Sequence, residues 1–149
     1  MRAKSSRNDT VTAMLNRRAL LTGAAVFLFR GDALGQSPLS ALTARQASDG
    51  RKGGSLVLID IRSPGEWADT GVPQGAIRLD AEGAGFEVRL AGIRLDNPGK
   101  RIALIDRTGG LAASVQQKLA GRGWRDLAAV RGGVLGPDGW LAEKLPVEP

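Results

Sequence analysis

The strongest constraint on this chain is a pair of apolar, β-branched runs, "SLVLIDI" at 55–61 and "RIALID" at 101–106. Both are nearly continuous in hydrophobicity rather than alternating, the pattern of strands buried on two faces. A sheet built from such strands needs helices on either side, and helical patterns do separate the runs. The expected fold is therefore α/β, with a parallel sheet flanked by helices on both faces.

The remaining elements follow from local signals. "SPGEW" places Ser63 and Glu66 at capping-box spacing, with Pro64 at the first helical position, and the short helix should stop before Gly71. "AIRLD" reads as a second short strand, "FEVRLAGI" as a short helix and "RIALID" as the third strand. Leu111 to Ala120 should form an amphipathic helix ended by Gly121 and Gly123, and "DLAAVRGG" supplies a fourth strand. Two further helices are expected. One runs from Ser37 to Ala47, with Ser37 as cap and Pro38 at its first position, followed by a "SDGRKGG" loop. The other is a last short helix over "PDGWLAEKL".

Charge divides the chain. The net charge is +6, yet the residues up to Gly35 hold six basic groups against two acids, while the remainder holds 15 against 13. The excess belongs mainly to the N-terminal segment, so the domain gives no support to nucleic-acid binding. That segment has a basic stretch ending in Arg17-Arg18 and an apolar run from Ala19 to Phe29. Arg30 and the small-residue stretch "DALGQ" follow. The run falls well short of the ~18 residues that span a bilayer as a helix. Its layout is that of an export signal, and the paired arginines before Ala19-Leu20-Leu21 resemble the twin-arginine motif, with Asn16 in place of the usual Ser or Thr. Residues 1–35 are thus read as a signal peptide cleaved near Gly35/Gln36, and 36–149 as one domain. The expected location is periplasmic, or otherwise exported from a bacterial cell. Membrane contact is expected only during export, or if the signal stays attached as an anchor.

The chain contains no cysteine and no histidine. Thiolate nucleophiles, imidazole bases, disulfides and N/S metal sites are all excluded by composition.

Four segments together resemble the rhodanese-homology domains. "LVLIDIRSPGEW" matches their opening strand with Asp-x-Arg and Ser/Thr-Pro-x-Glu-aromatic. "TGVPQGAIRL" matches the next segment, with Gln74 inserted and no histidine after Gly71. "IALIDRTGGLAASVQQKLAGRGW" matches the strand, active loop and helix, and "LAAVRGGVLGPDGWLAEKLPV" the closing strand and Gly-Gly turn. The resemblance runs from Leu56 to Val147. It implies a single rhodanese-like fold in which a Cys-x-x-Gly-x-Arg loop takes up sulfane sulfur as a persulfide. Here the aligned stretch is Asp106, Arg107, Thr108, Gly109, Gly110, Leu111. Aspartate replaces the nucleophile and leucine the closing arginine. A carboxylate is no substitute for a soft thiolate that attacks sulfur and leaves again. Asp106 is instead expected to accept the loop N–H groups, filling the cradle that would otherwise hold an anion.

Three functional readings follow. In the first, the domain is a non-catalytic module that binds an unidentified protein partner, with the Asp106–Leu111 loop at its docking mouth. In the second, the loop still cradles a sulfur oxyanion or other small anion through Arg107, Thr108 and the Gly109 and Gly110 amides. The third notes that Asp60, Asp80 and Asp106 all close strands, so a parallel sheet brings them to one edge where a divalent cation could assist phosphoryl chemistry; against it, Arg62 is available to pair with Asp60. No resident metal or cofactor is expected. Trp67, Trp124 and Trp140 read as core or edge packing, "VRGG" as a strand end and turn, and Lys100-Arg101 as a solvated strand opening.

Overall fold

The computed structural model describes residues 40–149. The stretch read as an export signal, with Arg17, Arg18 and the Gly35/Gln36 junction, lies outside the described residues, as do Ser37 and Pro38. Five strands form a parallel sheet: β1 (Ser40–Leu42), β2 (Leu56–Asp60), β4 (Ile77–Arg78), β5 (Arg101–Ile105) and β6 (Leu127–Val130). Their spatial order is β1-β6-β5-β2-β4, so the two most apolar strands lie side by side near the centre. A small antiparallel pair, β3 (Val72–Pro73) with β7 (Val147–Glu148), ties the C-terminus to the loop after α2 (Pro64–Thr70).

Both sheet faces are covered, as continuous apolar strands require. Leu56 and Leu58 of β2, Ala103 and Ile105 of β5, and Ala128 and Val130 of β6 pack with Ala44 and Ala47 of α1 (Ala44–Lys52) and with Val134, Trp140 and Leu145. The alternate residues, Val57 and Ile59, Ile102 and Leu104, Leu127 and Ala129, pack with Leu90 of α3 (Phe86–Asp96) and with Ala112 and Leu119 of α4 (Gly110–Ala120). Gln116 of α4 is buried, and its amide donates to the carbonyls of Ser40 and Leu127, fixing α4 across β1 and β6. No described helix is long and apolar enough to cross a membrane.

Two expected helices are corrected. The first does not run from Ser37 to Ala47: Ser40–Leu42 is a strand paired with β6, and the helix begins at Ala44 and continues through the supposed loop to Lys52. Its start is set by a capping box in which Thr43 and Gln46 satisfy one another's amides, a local signal stronger than a lone Ser-Pro pair. The "PDGWLAEKL" segment forms successive turns rather than a helix. Gly132, Gly136 and Gly139 stack so closely that a Cβ on Gly139 would stand 2.6 Å from the Gly133 carbonyl oxygen. The chain there is bent to bury Trp140, whose indole N–H donates to the Pro146 carbonyl at 2.8 Å.

Candidate functional site

The turn from β5 into α4 lies at the C-terminal edge of the sheet, where open α/β sheets bind ligands. Helix α4 opens after Gly109, which has φ 99° and no side chain to cap the helix. Its first amides therefore need an acceptor from elsewhere. Asp106 supplies it: Oδ1 accepts the Gly109 N–H at 2.6 Å and Oδ2 accepts the Leu111 N–H at 2.8 Å. The residue is 3% exposed. A buried carboxylate at this point is stabilised by charge-assisted bonds and by the positive end of the helix dipole.

The loop is held in shape from behind by the turn after β6. Val134 N–H donates to the Asp106 carbonyl and Leu135 N–H to the Arg107 carbonyl, each at 2.8 Å. Gly133 makes this approach possible. It has φ 54°, and a Cβ there would lie 2.6 Å from the Thr108 nitrogen.

Arg107 and Thr108 form the exposed rim. Arg107 reaches back to Glu66 Oε1 at 3.5 Å, linking the loop to the first turn of α2. Burial opposes ionisation of Glu66, but the Ser63 amide and hydroxyl, the Arg107 guanidinium and the charge of Arg62 together outweigh it. The carboxyl is held below its ordinary 4.5. The capping box expected from Ser63 and Glu66 is present, with both reciprocal bonds.

Asp60, at the end of the neighbouring strand, is fully buried and committed to Arg62. The guanidinium meets it at 2.6 Å and also donates to Thr70 Oγ1 and the Gly71 carbonyl. Asp80 Oδ1 accepts the Glu82 amide at 2.8 Å. Each of the three strand-end aspartates is thus occupied by an internal donor. No cluster of three or more His, Cys, Asp or Glu suited to a metal ion occurs among the described residues. This geometry lends the metal-assisted reading no support.

Beyond Leu111 opens a groove of about 400 Å³ between the first turn of α3 and the length of α4, lined by Phe86, Val88, Leu111, Val115 and Leu119 together with Glu87 and Lys118. Val88 is 76% and Leu111 45% exposed, a high exposure for apolar side chains. Lys118 and Arg122 both engage Glu87, at 2.7 and 2.5 Å, bracing α4 against α3. This groove is absent from the sequence reading. Its signal was present in α3, where Phe86, Val88, Leu90, Ile93 and Leu95 are too many apolar residues for one buried stripe.

The fold and loop define a class: a small parallel α/β domain whose site is an amide cradle between a central strand and a helix N-terminus. The description Rhodanese-like domain matches residues 43–138, and the chain belongs to that family. Among solved structures, the polysulfide-sulfur transferase homodimer of Wolinella succinogenes is 26% identical, with a TM-score of 0.59 over 74% of this chain and 78% of that one. A rhodanese-related protein from Thermoplasma volcanium is 21% identical, with a TM-score of 0.58 over 73% and 97%. The thiosulfate sulfurtransferase of Pseudomonas aeruginosa is 22% identical, with a TM-score of 0.60 over 74% of this chain and 20% of that one. Comparison with curated proteins gives no significant match. The fold expected from sequence is therefore the fold observed, and the absence of cysteine speaks against cysteine-dependent sulfur transfer.

Proposed function

We propose that this chain is an exported, non-catalytic rhodanese-like module that binds a protein partner at the mouth formed by the Asp106–Leu111 loop and the adjoining groove. The observation that carries this reading is the Asp106 carboxylate, which takes the Gly109 and Leu111 amides that a substrate anion would need. The mouth has also changed character. Where the family's closing arginine would stand, Leu111 offers an apolar surface continuous with Phe86, Val88 and Val115. Such a surface suits an apolar side chain better than an oxyanion. Export rests on the sequence of residues 1–35, with the domain following from 36 to 149.

Anion binding is the competing use of the same loop, and it requires the Asp106 carboxylate to vacate the amides. A thermal-shift titration with thiosulfate, sulfite, sulfate and phosphate separates the two, run on the wild type and on Asp106→Asn. A ligand at 100 times its Kd adds about 2.7 kcal/mol to the folded state, enough to register. The expected result is no shift in the wild type and a shift in the variant, whose cradle is no longer filled by a charge. A selective shift in the wild type would transfer the assignment to anion binding. Cyanide-dependent sulfur transfer from thiosulfate by the purified protein would overturn the non-catalytic reading altogether.

A further inference from the structure

At the edge of the sheet opposite the loop, the chain carries a group of cations. Lys52 closes α1 just ahead of β2, Lys100 and Arg101 open β5, and Arg125 stands immediately before β6. Because β2, β5 and β6 are parallel neighbours, these positions fall along one edge. None of the four makes an ion pair among the described residues. Of the acids nearby, Asp126 is paired with Arg94, while Asp49 and Asp96 are exposed.

Two independent observations give this edge a direction. Leu95, in the last turn of α3, is 79% exposed, the highest value of any large apolar residue described. Arg94, the residue before it, places its guanidinium over half-buried Trp124, 4.8 Å from the ring centre. Cations sharing one sheet edge with an exposed leucine and a half-buried indole are the chemistry of a surface that meets lipid headgroups. The second observation is topological. Strand β1 runs parallel to β6 and begins at Ser40, so the chain enters the domain from this same edge. In the sequence, the apolar run ends at Phe29, eleven positions before Ser40.

We propose that the N-terminal edge of the sheet, bearing Lys52, Leu95, Lys100, Arg101 and Arg125, docks on an anionic phospholipid surface and holds the Asp106–Leu111 loop facing away from the bilayer. Headgroup phosphates would neutralise the cations while Leu95 enters the boundary layer.

Because the chain has no cysteine, single-site labelling is clean. The full chain would carry an environment-sensitive fluorophore at Leu95→Cys, or at Leu135→Cys beside the loop on the opposite edge. Each would be mixed with vesicles of phosphatidylcholine alone or with one-quarter phosphatidylglycerol. The expected result is a blue shift at position 95 with anionic vesicles, none at 135, and loss of at least half the shift in 0.5 M salt, where charge screening is strong. Lys52→Glu/Lys100→Glu/Arg125→Glu should abolish the shift; should that variant not fold, the salt dependence of the labelled parent decides. An equal shift at both positions, a shift with neutral vesicles of the same size, or no shift at position 95 would overturn the proposal.

Discussion

Asp60 and Asp106 close adjacent parallel strands, are both almost fully buried, and solve the same electrostatic problem differently. Asp60 is matched by a full positive charge: the Arg62 guanidinium faces it side-on and then ties the end of α2 through Thr70 and Gly71. Among the described residues, no cation pairs with Asp106. It is matched by two amides at the opening of α4. The first arrangement welds one helix to the sheet. The second holds the loop to the first turn of α4 through hydrogen bonds from two backbone amides.

The comparison breaks most severely at Arg62. Arg62→Leu leaves Asp60 buried and unmatched, and urea unfolding should show a loss of about 3–5 kcal/mol. If the loss were under about 1 kcal/mol, the pair would be an ornament and α2 would be held by other contacts. Asp106→Ala removes two charge-assisted bonds but leaves amides that water can reach. Its expected cost is smaller, about 2–3 kcal/mol, and sulfate should restore part of it. A cost equal to that of Arg62→Leu would mean that amides match a buried charge as fully as a guanidinium does. The smallest effect is expected at Glu66→Gln, which keeps the capping geometry and removes only the charge facing Arg107. Because the folded carboxyl titrates below its ordinary 4.5, its contribution is present above that value and lost as pH falls through the lower, folded one. The two proteins should differ by up to about 0.5 kcal/mol at pH 7 and converge in acid, measured by denaturation between pH 7 and 3.

The two aspartates also divide what a reader of the chain could see. The Asp-x-Arg spacing made the Asp60–Arg62 pair legible, since two residues apart at a strand end are bound to meet. The role of Asp106 was legible too, from the family loop and the known hunger of a helix N-terminus for an acceptor. Gly133 was not: its closeness to Thr108 joins segments far apart in the chain, and no local signal announces it. The same holds for the groove beside Leu111, which exists only because α3 and α4 sit on one sheet face.

Sequence by itself determined the parallel α/β class, through apolar runs too continuous for a one-sided sheet, and it determined the loss of thiol chemistry, through composition. It also set the capped start of α2, because a capping box is satisfied within four residues. Tertiary structure decided the rest. Ser40–Leu42 became a strand only because β6 offered an unpaired edge, and the segment around Trp140 gave up helix for turns because burying the indole fixed the path of the backbone. Pairing and packing act between residues distant in the chain, and where they contradict a weak local preference the larger buried surface prevails.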